Sequence, residues 1–338
     1  MRCSLRRIVV RLAVAGTLCC AGCSATDRLT EARRHADAAT DLMREAQELF
    51  QQGQADAANR TAENAQESLR LARDAYLAAK ADRSRDVELL IEFAELTERL
   101  EDSDLAGEAY ARAAEMDGAR PDLWYRAARN FVEARGRYLD LVMETLARAE
   151  AANTGAAAPV PRADIEAVRG DVFLALGLPE DAAPHYEASL AENGQQPRAR
   201  IGMAGAALQL GDVERSAALV DSFAQPTPAE AVLLDRTLRG SYMAFRRDRV
   251  IVPETAASQR ALAKICVRLG FVQESLLAVE SAVRLDPSDV YSWNMLGSLS
   301  AQAGDTQRAR EAFTQSLTLA PDQPRTKQAL DELGGAAN

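Results

Sequence analysis

Apolar and small residues recur at helical spacing on both sides of a turn signal between Trp293 and Pro321. The residues that would share one face of each predicted helix are Trp293, Leu296, Gly297 and Ser300 before the turn, and Ala309, Phe313, Ser316 and Leu317 after it. Gly304 can adopt the left-handed conformation that ends a helix, and Asp305 can cap the next helix, which Pro321 ends. The pattern therefore predicts two consecutive helices joined by a short turn.

The same spacing recurs along the chain with a period of about 34 residues. The pairs separated by that period are Gly177 and Gly211, Gly270 and Gly304, and Pro287 and Pro321. Together with the order W-x2-LG, glycine, A-x3-F and proline, this period resembles the tetratricopeptide repeat. The resemblance implies an all-α fold, a TPR-like α-α superhelix (solenoid) of helix-turn-helix repeats, and a non-enzymatic scaffold that binds other proteins.

Three repeat-like pairs are predicted from this template. They span residues 87–154, 163–230 and 256–323. A GAAAPVP stretch predicts a flexible linker at 155–162 between the first two pairs. A helix-start signal at Thr227 precedes one apolar stripe, so a single-helix insertion is predicted at 231–255. The polar segment 324–338 is predicted to be a capping helix and tail that shields the last repeat.

Two interpretations of residues 23–86 stay open. The segment is charged and rich in alanine, with one interruption at Gly53. It fits either a plain antiparallel helical hairpin or a degenerate repeat from Ala39 to Ala72, because alanine satisfies both helical patterns. Two helices on either side of Gly53 are expected in both cases.

Residues 1–22 have the pattern of an export signal. The positive start consists of Arg2, Arg6, Arg7 and Arg11. The run from Ile8 to Cys20 is otherwise apolar and too short to span a membrane. This combination is typical of a signal peptide that is removed from the mature protein.

The CAGC sequence at the end of this segment resembles a bacterial lipobox, which implies lipidation of Cys23 as the mature N-terminus. Ser24 resembles the sorting signal for the outer membrane, so the expected location is that membrane, lipid-anchored and facing the periplasm. Among lipid-anchored repeat proteins of this kind, the implied roles are envelope assembly, secretion, pilus formation and polysaccharide export. Ordinary signal cleavage after Ala25 and an uncleaved anchor are the alternatives.

The net charge limits the classes of partner that the protein is expected to bind, and the cysteines lie mostly in the signal region. The chain has 40 basic and 50 acidic residues, a net charge of −10, which disfavours nucleic acid and broad adhesion to an anionic membrane surface. Four of the five cysteines lie in the signal region, and Cys266 alone is expected to be a small buried side chain.

Candidate chemistry is sparse. The two histidines, His35 and His185, are far apart in the sequence, and no metal-binding, phosphate-binding or nucleophile motif occurs. No catalytic residue, metal or cofactor is therefore assigned. A helical enzyme that uses two carboxylates on cell-wall glycan remains the alternative to a scaffold.

Residues one period apart are expected to face each other on neighbouring helices. In the first two pairs of units this rule matches opposite charges, namely Glu95 with Arg129, Arg99 with Glu133, and Asp164 with Arg198. In the third pair, Arg260, Lys264 and Arg268 would face Asn294, Ser298 and Gln302, which are neutral. In the third pair, these three positive charges would therefore face no carboxylate.

That surplus predicts a binding site for a protein or peptide with an acidic segment or a chain-terminal carboxylate, as in relatives with a basic clamp. The predicted binding residues are Arg260, Lys264, Arg268, Tyr291, Asn294, Ser298 and Gln302. The alternative is a basic face neutralised by acidic residues elsewhere. The insertion, with Arg246, Arg247 and Arg249, is the second candidate surface.

Overall fold

The computed structural model describes residues 24–134, 138–154 and 159–335. In these ranges the chain forms sixteen α-helices, one short 3-10 turn and no β-strand, which confirms the predicted all-α fold of repeated helix pairs. Two compact units divide at Pro159 and Val160. Across the described ranges, no helix has both the length and the apolar character needed to cross a membrane.

The first unit begins with a long hairpin, α1 (Ala25–Gln51) and α2 (Ala55–Ala78), which turns at Gly53 with φ 75°. The two helices pack through alanines spaced seven residues apart, each at most 8% exposed. They are Ala32, Ala39 and Ala46 on α1, and Ala58, Ala65 and Ala72 on α2. Small side chains at a heptad spacing let the two backbones approach closely. At 27 and 24 residues, both helices are longer than any described helix that follows, the next longest being α11 with 20 residues.

Two shorter helix pairs complete the first unit. They are α3 (Val87–Arg99) with α4 (Ser103–Met116), and α5 (Pro121–Glu133) with α6 (Leu139–Asn153). Helices α3 and α5 begin one repeat period apart, as the resemblance requires. The close packing of α4 against α5 requires glycine at position 107, because a Cβ there would lie 2.6 Å from the Phe131 ring.

The second unit contains ten helices within the described residues. They are α7 (Arg162–Ala175), α8 (Pro179–Glu192), α9 (Pro197–Gln209), α10 (Val213–Asp221), α11 (Pro228–Arg247), α12 (Ala256–Arg268), α13 (Val272–Leu285), α14 (Val290–Gln302), α15 (Thr306–Leu319) and α16 (Pro324–Gly335). Helices α12, α14 and α16 begin at intervals of one repeat period. The predicted capping helix α16 therefore occupies the position of the first helix of another repeat.

Tyr186 joins three helices of the second unit. Its side chain on α8 is fully buried and lies between α7 and α9 at two glycines. A Cβ on Gly170 would lie 2.5 Å from the tyrosine ring, and one on Gly202 would lie closer still. The tyrosine hydroxyl donates a hydrogen bond of 2.8 Å to Asp171, which is also paired with Arg198.

The inserted helix α11 is part of the core. It begins with a capping box in which Thr227 and Glu230 exchange hydrogen bonds, as its sequence predicted. Its apolar stripe, which consists of Leu234, Leu238, Tyr242 and Phe245, is buried with residues of α9, α10 and α12. Helix α11 packs along α9, and α12 packs against α10, so the core continues across the break in the repeat period.

Gly240 on α11 lies in the middle of a helix and is exposed, and a Cβ there would meet nothing within 4 Å. Gly240→Ala should therefore raise the free energy of unfolding by about 0.5–1 kcal/mol, because alanine loses less backbone entropy on folding. Urea denaturation measures the change. The matched variant Gly202→Ala should lower the midpoint, since its new methyl would overlap Tyr186. A lower midpoint for Gly240→Ala would contradict an open surface.

Candidate functional site

A cavity of about 460 Å³ opens in the second unit beside the C-terminal ends of α10 and α12. Its lining residues are Ala217, Val220, Asp221, Phe223, Ala224, Lys264, Ile265, Val267, Arg268 and Met295. We call it the α10–α12 pocket. Val220, Phe223 and Ile265 are buried and provide an apolar floor, while the side chains of Lys264 and Arg268 supply positive charge.

Neither cation at this pocket is fixed by a strong ion pair. Lys264 Nζ lies 2.8 Å from Asp221 Oδ2, with side chains 48% and 57% exposed. Ion pairs as exposed as this contribute little to stability, so Lys264 can exchange Asp221 for another carboxylate at small cost. Arg268 lies in the last turn of α12 and makes no ion pair within the described ranges.

The expectation of three unmatched cations was wrong for Arg260 and Lys264. Arg260 is paired with Asp289, a nearly buried carboxylate that also caps α14 by accepting from the Tyr291 backbone N–H at 3.1 Å. Lys264 is paired with Asp221. The neutralising carboxylates come from helix ends outside the positions that the one-period rule compared, so the rule could not find them.

The remaining predicted binding residues lie outside the pocket lining. Asn294 bonds to Gln323 at 2.6 Å and to Thr326 at 3.1 Å, so its amide holds α14 to the start of α16. Ser298 donates to the carbonyl of Asn294 within its own helix. Tyr291, 76% exposed, and Gln302, also exposed, contribute nothing to the lining. Of the seven residues, the structure brings only Lys264 and Arg268 together at one cavity.

The charge pairs of the earlier repeats are also shifted from the expected register. Glu95 pairs with Arg126 at 2.9 Å, and Glu98 pairs with Arg129, so Glu95 does not pair with Arg129 as expected. Asp164 accepts from Gln196 at 2.7 Å. Partners on successive first helices are thus separated by about 31 residues, which indicates an axial offset of roughly one helical turn.

The other two expected pairs also differ. Arg99 donates to the Thr40 hydroxyl of α1 at 3.3 Å, and Arg198 pairs with Asp171. Both arginines therefore bind to residues other than their counterparts one period away.

Sequence reasoning missed the apolar half of the pocket. Phe223 and Val220 line it because α10 ends at Asp221 after nine residues, whereas α8 and α13 each have fourteen. Pro226 and Pro228 were the available signal, because prolines so close together prevent the helix from continuing. The pocket thus arises from the shortened second helix.

A separate polar cluster around the buried Glu166 joins α7 to α8. Glu166 accepts from Arg169 at 2.9 Å, and its other oxygen lies 2.7 Å from His185 Nδ1. Burial alone would raise the pKa of Glu166, but the hydrogen bond from His185 and the charge of Arg169 outweigh it and lower the pKa. The His185 ring stacks on Phe173 with centroids 5.1 Å apart, so the cluster connects α7 to α8.

Other candidate chemistry gives no site within the described ranges. No group of three histidine, cysteine or acidic side chains there could hold a metal ion. Cys266 is buried as expected; its thiol donates to the Tyr242 hydroxyl, and burial raises its pKa to about 11. In the insertion, Arg246 pairs with Glu274 and Arg247 with Asp248. The predicted signal segment 1–22 and lipidation residue Cys23 lie outside the described ranges.

Comparison with known proteins bears on the repeats directly. A protein-family model described as "Tetratricopeptide repeat" matches residues 168–231 and 260–324. No curated protein sequence matches the chain. The two matched segments together supply every residue that lines the α10–α12 pocket.

Several solved structures resemble the chain. A TPR protein of Thermus thermophilus is 20% identical, covering 60% of this chain and 98% of that one, with a TM-score of 0.37. A tetratricopeptide repeat protein from Parabacteroides merdae ATCC 43184 is 14% identical, with coverages of 88% and 99% and a TM-score of 0.34. YrrB, described as a TPR protein with an unusual peptide-binding site, is 15% identical, with coverages of 76% and 98% and a TM-score of 0.30. By the family-model match, the chain contains tetratricopeptide repeats at residues 168–231 and 260–324.

Proposed function

We propose that this protein is a non-enzymatic scaffold, lipid-anchored at the bacterial outer membrane, that holds a protein partner during envelope assembly, secretion, pilus formation or polysaccharide export. Support for the scaffold comes from the tetratricopeptide repeats, which generally hold protein or peptide partners. Support for the anchor comes from the basic and apolar start of the sequence and its CAGC ending.

We further propose that the partner binds at the α10–α12 pocket through an acidic segment or a chain-terminal carboxylate. One observation carries this assignment: the pocket places the cations of Lys264 and Arg268 beside an apolar floor. A ligand carboxylate would replace Asp221 at Lys264 and approach Arg268, while an adjacent apolar side chain would enter the cavity. Such a site selects for a carboxylate next to an apolar residue.

The binding test begins with a pull-down from detergent-solubilised membranes and mass spectrometry of the co-purifying proteins. Lys264→Glu with Arg268→Glu should then weaken affinity for the partner at least about tenfold, a loss of ~1.4 kcal/mol, because two attractive charges become repulsive. Wild-type binding should also weaken as salt is raised.

The control carries the same change of charge away from the pocket. Arg284→Glu with Arg310→Glu reverses two exposed cations on α13 and α15 and should leave affinity nearly unchanged. Equal affinities of the wild type and the pocket variant, with both fully helical by circular dichroism, would place the partner elsewhere.

The anchor is tested by intact-mass analysis of protein extracted from membranes. We expect a species that begins at Cys23, carries a diacylglyceryl group and lacks residues 1–22. A soluble species that begins at Thr26 would instead show ordinary signal cleavage after Ala25 and would refute the anchor.

A further inference from the structure

We infer that the end of the hairpin where α1 begins and α2 ends is a docking surface for anionic lipid headgroups. We call this end the hairpin base and define it as residues 24–28, 78–86 and Arg112. Arg28 on α1 donates to the carbonyl of Ala78, the last residue of α2, at 2.6 Å, which fixes the two helix ends side by side.

Five cations converge on this small region. They are Arg28, Lys80, Arg83, Arg85 and Arg112. Lys80, Arg83 and Arg85 are exposed and belong to the tight connection around the 3-10 turn Ala81–Arg83. Arg112 reaches the same connection from α4, where its guanidinium donates to the carbonyl of Asp82. The guanidinium groups of Arg28 on α1 and Arg112 on α4 thus lie at the same short turn that carries the other three cations.

The carboxylates at the hairpin base do not cancel these charges. Its three carboxylates are Asp27, Asp82 and Asp86, against five cations, an excess of 5 − 3 = 2. Asp27 completes the capping box of α1 and Asp86 caps α3, so both offset partial positive charge at helix N-termini. Asp82 lies 3.3 Å from Arg83.

The other four cations at the hairpin base, Arg28, Lys80, Arg85 and Arg112, form no ion pair within the described ranges. These four cations therefore carry positive charge that no ion pair within the described ranges neutralises, in a chain whose net charge is −10. Because charges more than about 8 Å away are screened at physiological salt, the local excess decides what this surface attracts.

The position of the hairpin base in the sequence identifies the anion as a lipid surface. Helix α1 begins at Ala25, two residues after Cys23, and Ser24 is fixed as its cap by a 3.0 Å hydrogen bond to Asp27. Given the proposed anchor at Cys23, on which this step rests, the hairpin base meets the membrane with almost no intervening chain. Basic residues beside a membrane attachment point add to binding when the lipids are anionic.

The test uses the mature protein without its lipid, residues 24–338, which contains the whole described part of both compact units. Its binding to vesicles of phosphatidylglycerol and phosphatidylcholine is compared with binding to pure phosphatidylcholine by co-sedimentation, at low and high salt. We expect binding that requires phosphatidylglycerol and is lost at high salt. Lys80→Glu with Arg83→Glu and Arg85→Glu should lower the partition coefficient at least about tenfold, because each cation near such a surface contributes several-fold.

The control variant reverses three exposed cations elsewhere on the same hairpin, Arg44, Arg60 and Arg70, to glutamate. It has the same net charge as the base variant and should retain most of the vesicle binding. Equal losses in the two variants, or equal binding to both kinds of vesicle, would overturn the inference. Because the protein tested carries no lipid, this result is independent of whether Cys23 is found to be lipidated.

Discussion

Replacement of Tyr186 by alanine is expected to lower the free energy of unfolding of the second unit by about 3–5 kcal/mol. The ring is fully buried between the backbones of α7 and α9 at Gly170 and Gly202. Its removal leaves a cavity that is bounded on two sides by glycine backbones, which have no side chains that could relax into the space. Tyr186→Phe keeps the ring and loses only the hydrogen bond to Asp171, so about 1 kcal/mol is expected.

Chemical denaturation followed by tryptophan fluorescence measures this effect. The chain has two tryptophans, so Trp293 becomes the sole reporter on the second unit in a Trp124→Phe background. Tyr291→Ala, which truncates a tyrosine that is 76% exposed, is the matched control and should change stability by less than about 0.5 kcal/mol. Similar small losses at positions 186 and 291 would show that the glycine-lined packing does not hold the repeats together.

The second large effect is expected at Glu166, whose side chain is only 7% exposed between Arg169 and His185. Glu166→Ala removes the acceptor shared by a guanidinium and an imidazole. It should lower the free energy of unfolding by about 3 kcal/mol, the lower end of the range for breaking a buried ion pair. The lower end applies because the side chains of Arg169 and His185 remain 18% and 30% exposed. The same fluorescence assay measures the loss.

The pH dependence supplies a second measurement at this residue. The pKa of Glu166 is lowered in the folded protein, so its stabilisation is present above the ordinary carboxyl pKa of about 4.3 and is lost as pH falls through the folded pKa. In Glu166→Gln, the free energy of unfolding should therefore decrease less than in the wild type as the pH drops below ~4.3. Glu187→Gln on α8, an exposed carboxylate, should leave that fall almost unchanged. An identical acid profile for wild type and Glu166→Gln would contradict the lowered pKa.

Features set by local chemistry were predictable from the sequence. Gly270 and Gly304 have φ of 78° and 82°, as expected for glycines that end helices. Thr227 and Glu230 form the capping box that starts α11. In each case, the residues that determine the feature lie within one turn of it in the sequence, so no knowledge of packing is needed.

The candidate site depended on information that the sequence pattern does not contain. The partner of Arg260 is set by how far one helix is shifted along the next, and the one-period rule missed it by five positions, which put Asn294 in place of Asp289. The pocket itself depends on the early end of α10, which exposes Phe223 to the cavity. The axial offset and the helix length come from packing over the whole unit.

The offset between successive first helices limits how alike the repeats can be. The separation of Glu98 and Arg129 falls three positions short of one repeat period, so in a chain of identical copies the same two side chains would recur three positions apart on one helix. Neighbours at that spacing also attract each other, and every arginine would then have to choose between a glutamate on its own helix and one on the preceding helix. Sequence divergence between the copies removes that competition, because position 95 holds a glutamate, which pairs with Arg126.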